Sequence, residues 1–139
     1  MEKRLDPERI AYVAAYAARD KKAKRITVLD LREITVIADY FVICTGNSLV
    51  QVRAIVDHVL EKLDEMGIKP HHVEGLQRGR WVLLDYESVV VHVFHRLERE
   101  FYDLERLWGD ARKTILEDED EDVIGVRSGR SGGGGLVDL

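Results

Sequence analysis

The chain has 139 residues, of which 45% are hydrophobic, and a formal net charge of −5. This size and composition favour one compact domain with a substantial core over two full domains. Residues 117–139 hold seven acidic and two basic side chains and so account for all of the net charge. The neutral body lacks the positive field that drives general binding to nucleic acid, so any such contact would have to be local.

The amino terminus and the hydropathy indicate a cytoplasmic protein with no membrane contact. Residues 1–4 lead directly into a charged helical pattern and lack the basic and apolar regions of a signal peptide. No apolar stretch approaches the length of a membrane-spanning helix.

The first half of the chain predicts a helix followed by two strands. Asp6 and Pro7 are typical of a helix start, and apolar residues recur at helical spacing up to about residues 20–22. Alternating apolar residues predict a strand over residues 26–31, and a continuous apolar run predicts another over residues 40–45.

The second strand leads into a helix with clear signals at both ends. Ser48 and Gln51 form a capping box, in which their side chains satisfy free amides at the helix start. Gly67 ends the apolar stripe of this helix with a residue that tolerates the left-handed conformation.

Short strands follow, at residues 72–74, 80–86 and 88–94, and the last of them is apolar on both faces, as expected of an inner strand. A final helix is predicted with a core stripe at Leu97, Phe101, Leu104 and Trp108. These elements indicate a single α/β domain over residues 1–116, with a mixed sheet flanked by helices. The acidic, glycine-rich tail over residues 117–139 is expected to be disordered.

One local cluster of basic residues lies where the first helix ends. Its members are Arg19, Lys21, Lys22, Lys24 and Arg25. The favoured interpretation is a solvated helix end stabilised by the helix dipole, and a local contact with nucleic acid is the alternative.

A nucleotide-binding enzyme is one hypothesis for the turn at residues 46–48. A small-residue turn between a strand and a helix can hold phosphates, and Asp85 and Glu87 form a carboxylate pair of the kind that holds magnesium in nucleotidyltransferases. The pair follows 39 residues after Gly46 and falls at a hairpin end, where two oxygen ligands make a poor magnesium site. A capped turn at Ser48 and a polar turn at Glu87 are therefore favoured.

The histidines and the single cysteine do not indicate a reactive centre. His92 and His95 would point to opposite faces of a continuous strand, and no cysteine lies near them or near His71 and His72. Cys44 lies in an apolar run, which predicts a buried, protonated thiol, and no nucleophile elbow occurs. We expect no catalytic residue, metal or cofactor.

Several blocks of the sequence, in order, resemble the ribosomal silencing factor family, also called Iojap. The blocks are "DYFVICTGNS" (residues 39–48), "QVRAI" (51–55), "EG" (74–75), "WVLLDY" (81–86), "VVVHVF" (89–94) and "REFYDLERLW" (99–108). The resemblance covers roughly residues 5–111, and its strength comes from the agreement of all the blocks at once.

This resemblance implies a nucleotidyltransferase-like α/β fold without the carboxylate set, and a translational repressor rather than an enzyme. Members of the family are understood to bind ribosomal protein fourteen on the intersubunit face of the large ribosomal subunit and to block joining of the small subunit when nutrients are limiting. A neutral body suits docking to a protein. A local contact with ribosomal RNA and a homodimer through a sheet edge stay open.

Four residues inside the matching blocks combine aromatic and acidic chemistry and are the predicted partner-binding residues: Trp81, Asp85, Tyr102 and Glu105. On the final helix, Glu98, Tyr102 and Glu105 are expected on a face more exposed than the core stripe. Alternation places Trp81 and Asp85 on the same face of their strand, without indicating which face the helices cover. An aromatic anchor beside acids suits a basic ribosomal protein.

Overall fold

The computed structural model describes residues 6–118, and no helix in this part is long and apolar enough to cross a membrane. The elements are α1 (Pro7–Asp20), β1 (Lys24–Asp30), β2 (Tyr40–Gly46), α2 (Leu49–Glu65), β3 (His72–Glu74), β4 (Trp81–Asp85), β5 (Val89–His95), α3 (Arg96–Tyr102), α4 (Leu104–Leu107) and β6 (Arg112–Leu116). The predicted α/β fold with a mixed sheet is confirmed.

The six strands form one sheet in the order β3-β4-β5-β2-β1-β6. The central pair, β2 and β5, is parallel, and every other neighbouring pair is antiparallel. Strand β5 is buried on both faces from Val89 to Phe94, so the prediction of an inner strand is confirmed.

Helices α1 and α2 cover one face of the sheet and form the larger core with it. The Asp6 side chain accepts a hydrogen bond from the Glu8 amide at 3.1 Å, as the predicted helix start requires. Five of the six buried residues of α1 are alanines: Ala11, Ala14, Ala15, Ala17 and Ala18. Because alanine is small, α1 can lie close to both α2 and the sheet.

The opposite face has a smaller core and an incomplete cover. Leu29, Phe41, Ile43 and Phe94 are buried there, and α4 and the residues just after it contribute the partly buried Leu104 and Trp108. On strand β4, which lies next to the edge strand β3, Trp81 and Leu83 face this side and stay half-buried, whereas Val82 and Leu84 are buried under the α1 and α2 layer. The structure thus identifies the face of β4 that the long helices cover.

The end of the domain differs from the prediction. The expected single helix is broken at Asp103, which has a left-handed backbone (φ 50°), and two short helices replace it. The expected stripe is wrong in its first half, because Leu97 and Phe101 are 54% and 80% exposed. Strand β6, which was not predicted, pairs with β1. Of the predicted tail, only residues 117 and 118 lie within the described part, and residues 119–139 lie outside it.

A buried arginine explains the break at Asp103. The Arg99 side chain is 1% exposed and forms an ion pair with Glu105, to which its Nε also donates at 3.1 Å. Its Nη1 donates to Thr45 Oγ1 at 2.8 Å and its Nη2 to Thr27 Oγ1 at 3.3 Å. On a straight helix, residues six apart would lie about 120° apart around the axis, so the left-handed residue is needed to bring Glu105 to Arg99.

We predict that Arg99→Met strongly destabilises the fold, because it leaves the largely buried Glu105 carboxylate without its cation and removes the guanidinium donors to the Thr27 and Thr45 hydroxyls. Removal of one member of a buried ion pair should lower the free energy of unfolding by about 3 kcal/mol or more. Arg78→Met, at an exposed position, is the matched control and should change it by less than about 0.5 kcal/mol. Equal urea midpoints for the two variants would contradict the role given to Arg99.

The Glu105 carboxylate should also make stability depend on pH. Burial alone would raise its pKa, but the hydrogen bonds and charge of Arg99 outweigh burial and hold the pKa below its usual value. The ion pair therefore stabilises the fold above about pH 4.5, and its contribution is lost as the pH falls through the lowered pKa. We expect Glu105→Gln to be less stable than wild type at neutral pH and nearly equal to it in acid. A difference in urea midpoint that is independent of pH would contradict this.

Candidate docking surface

The turn at residues 46–48 is filled by the protein's own groups. Ser48 Oγ accepts from the Gln51 amide at 3.1 Å, as the predicted capping box requires, whereas Gln51 Oε1 accepts from the Asn47 amide at 2.7 Å, one residue before the amide that a capping box would use. A Cβ on Gly46 would lie 2.9 Å from Val52 Cγ2, so the glycine is needed for the first turn of α2 to pack against β2. These contacts account for the small residues of the turn without a phosphate.

The carboxylate pair of the enzyme hypothesis lies at the other end of the sheet. Asp85 pairs with Val90, whereas Gly46 pairs with His95 on the same strand β5. Five residues of strand correspond to about 16 Å. Asp85 Oδ1 accepts from the Glu87 amide at 2.8 Å, which is the role of a hairpin cap. The structure therefore does not bring the two halves of a nucleotidyltransferase site together.

The histidines likewise have separate structural positions. Strand β5 runs through both His92 and His95, as the argument for opposite faces requires. His92 is 3% exposed, and burial lowers its pKa to about 4. His95 caps α3 by accepting from the Leu97 amide. Within residues 6–118 no group of three or more metal-ligating side chains occurs, and burial raises the pKa of the Cys44 thiol to about 12.

A stack of aromatic rings lies on the incompletely covered face of the sheet. The Trp81 ring is 4.8 Å from Phe94 and 4.6 Å from Tyr102, measured between centroids, and its Nε1 donates to His92 Nδ1 at 3.1 Å. Tyr102 is 47% exposed, and the neighbouring Phe101 contacts it edge to face at 5.0 Å. Trp81 is thus held in place by its neighbours, and Tyr102 extends the aromatic surface outward.

The four predicted partner-binding residues do not form one patch of free side chains. Trp81 and Tyr102 are in contact, and Asp85 lies at the far end of β4 from Trp81. The expectation that Glu98 and Glu105 are more exposed is wrong: Glu98 is 23% exposed beside Arg80, and Glu105 is 15% exposed in the ion pair with Arg99. Substitution of Glu105 would therefore disturb folding before it could report on docking.

Sequence reasoning missed two members of this surface, Phe101 and Leu97. Together with Tyr102 they form an exposed apolar ridge on α3, and we name the ridge and the half-buried Trp81 the aromatic surface. Helical spacing had placed both residues in the core. Only the left-handed break at Asp103 turns Leu104 and Glu105 toward the sheet while α3 keeps this ridge in solvent. No local glycine or proline signals the break.

Comparisons of the sequence with known proteins point to one family. The sequence profile of the family described as "Ribosomal silencing factor during starvation" matches residues 4–131. The chain is 49% identical over 113 residues to "Ribosomal silencing factor RsfS" of Bacillus subtilis, covering 81% of this chain and 96% of that protein. It is 31% identical over 118 residues to "Protein Iojap, chloroplastic" of Arabidopsis thaliana, covering 84% and 49% of the two chains.

Two solved structures of similar proteins share this fold. A crystal structure of a protein from Chromobacterium violaceum is similar with a TM-score of 0.73 at 38% identity, covering 76% of this chain and 88% of that one. A crystal structure from Bacillus halodurans has a TM-score of 0.69 at 40% identity, covering 78% and 99%. With a family match over most of its length and relatives of nearly the same extent, the chain belongs to the ribosomal silencing factor family.

Proposed function

We propose that the protein is a cytoplasmic translational repressor that docks on the large ribosomal subunit and blocks joining of the small subunit when nutrients are limiting. The docking partner in this proposal is ribosomal protein fourteen of the intersubunit face. Membership of the silencing factor family supports the proposal. The observation that carries it is the aromatic surface, where an 80% exposed phenylalanine lies beside a half-exposed tyrosine.

The aromatic surface has the composition of a protein-binding site. Large, rigid aromatic side chains supply much of the energy of protein interfaces, and Tyr102 rests on the well-packed Trp81 and so loses little freedom on binding. Exposed Glu100 and Asp103 directly precede and follow Phe101 and Tyr102 in the chain, and exposed Arg96 and Arg106 lie further out. Glu100 and Asp103, rather than Glu105, are the exposed acids beside the ridge that suit contact with a basic ribosomal protein.

A non-enzymatic mode of action is part of the proposal. The family is named for silencing rather than for a reaction, and the turn at residues 46–48 lies about five strand residues from Asp85 along the sheet. The homodimer stays a prediction; β3 and β6 are the edges through which it would form, and light scattering across protein concentrations tests it.

We predict that nucleoside triphosphates with magnesium give no binding heat in titration calorimetry. In the turn at residues 46–48 the Asn47 amide already donates to Gln51 Oε1 and Ser48 Oγ already accepts from the Gln51 amide, and the Asp85 carboxylate already caps its hairpin. Micromolar binding that disappears in the Asp85→Asn variant would instead favour the nucleotide-binding enzyme.

We predict that Tyr102→Ala weakens binding to purified large subunits at least tenfold, about 1.4 kcal/mol, because it removes the outer ring of the aromatic surface. Cosedimentation with large subunits measures the affinity. The free energy of unfolding should fall by about 1 kcal/mol or less, since half of the ring is already in water.

Tyr16→Ala is the matched control, since Tyr16 is 51% exposed on α1, which covers the opposite face of the sheet. This variant should bind large subunits like wild type. Equal affinities of the two tyrosine variants and wild type would place the docking site elsewhere. Trp81→Ala is a poorer test, because this half-buried ring also packs against Phe94 and its loss would destabilise the sheet.

A further inference from the structure

We propose that one end of the sheet binds the phosphate backbone of RNA that lies beside the protein docked on the aromatic surface. This end, named here the basic edge, collects four exposed or half-buried cations from separate parts of the chain: Lys21, Lys24, Arg78 and Arg96. The place of that RNA, on the ribosome, rests on the proposed function, whereas the RNA binding itself can be tested on the protein alone.

The sheet brings these parts of the chain to the same end. Strand β1 begins at Lys24 and runs antiparallel to β2, which therefore ends beside it. Strand β5 is parallel to β2, so its end and Arg96, the first residue of α3, lie there too. Strand β4 is antiparallel to β5 and begins there at Trp81. Adjacent strands lie about 4.8 Å apart, so the edge extends over about 14 Å from β4 to β1.

Two contacts join the turns along the basic edge. Gln51 Nε2 donates to the Lys21 carbonyl at 3.1 Å, which ties the turn between α1 and β1 to the start of α2. A Cβ on Gly79 would lie 3.9 Å from Leu49 Cδ2, so the loop that carries Arg78 packs beside the same helix start. The cations therefore lie on a backbone that needs little ordering to meet an anion.

The four cations of the basic edge are not neutralised by neighbouring side chains. Within residues 6–118, none of them forms an ion pair. The four side chains are thus available to an external anion. Three of the acids near the edge already contact other groups: Glu98 contacts Arg80, Asp20 contacts His58, and Asp118 accepts from the Arg25 amide.

Charge is segregated between the two ends of the sheet. At the opposite end, Asp30, Glu33 and Asp110 line one small cleft together with a single arginine. The hairpin between β4 and β5 adds Asp85 and Glu87 at that end. A body that is neutral as a whole therefore presents a positive field at the basic edge, which attracts a polyanion to that end.

The chemistry and the position of the basic edge favour RNA as this polyanion. Arginine can bind a phosphate through two parallel hydrogen bonds, and the Arg78 and Arg96 side chains are exposed. Arg96 directly precedes Leu97 of the aromatic surface, so the two surfaces are continuous. In the proposed docked state, the RNA beside the ribosomal protein is the anion that the edge would meet.

The test compares three full-length proteins. The edge variant removes three exposed charges of the basic edge: Lys21→Gln, Arg78→Gln and Arg96→Gln. The control removes three exposed charges elsewhere on the surface: Arg9→Gln, Lys69→Gln and Lys113→Gln. Urea midpoints check that all three proteins are folded. Affinity for a labelled poly(U) oligonucleotide is measured by fluorescence anisotropy from about 50 to about 200 mM salt, a range over which phosphate contacts weaken strongly.

The affinity of wild type should fall about fiftyfold over this salt range, as four phosphate contacts to a single strand require, and that of the edge variant about threefold. At the lowest salt the edge variant should bind at least about tenfold more weakly than wild type, and the control within about twofold of it. No binding by wild type, or equal losses in the edge variant and the control, would overturn the proposal. Competition by polyglutamate as effective as that by unlabelled poly(U) would overturn it in favour of an acidic protein partner.

Cosedimentation with large subunits separates this inference from the proposed function. The edge variant should bind large subunits more weakly than wild type, and its affinity should depend less on salt. Tyr102→Ala should bind poly(U) like wild type. If wild type does not sediment with large subunits, the proposed function fails and the poly(U) comparison still decides whether the edge binds RNA. Wild-type affinity of the edge variant for large subunits would contradict the placement of RNA beside the docked protein.

Discussion

The ion pair between Arg99 and Glu105 is the interaction on which the arrangement of the second sheet face depends. Arg99 is almost fully buried, and it donates to threonines on both β1 and β2. A buried guanidinium is tolerated only when its donors are satisfied, so the chain must bring a carboxylate to it. The left-handed residue Asp103 does so, and the final helix becomes two.

This constraint makes the two faces of the sheet unequal. Helices α1 and α2 close one face with an alanine-rich contact and a large aliphatic core. On the other face the break at Asp103 turns Leu104 and Glu105 toward the sheet and leaves the ridge of α3 in solvent beside the half-buried Trp81. The exposed aromatic surface is therefore a consequence of how a single buried charge is neutralised. Its position on a rigid sheet suits recognition of a protein partner.

Local signals predicted much of the fold. Asp6 and Ser48 both cap helices where the sequence indicated, because capping depends on a few neighbouring residues. The break at Asp103 and the burial of Glu105 depend on contacts with strands far away in the chain, and no local pattern records them. Strand β6 escaped prediction because its exposed edge residues show no apolar alternation and its pairing with β1 is long-range. Family resemblance located the matching blocks but not which of their side chains reach solvent.

The central proposal is that this protein keeps ribosomal subunits apart by occupying the large one. The most direct measurement mixes purified large and small subunits with the protein and separates the products on a sucrose gradient. The account predicts that joined ribosomes decrease, free subunits accumulate, and the protein migrates with the large subunit. Undiminished joined ribosomes, with the protein left at the top of the gradient, would contradict it.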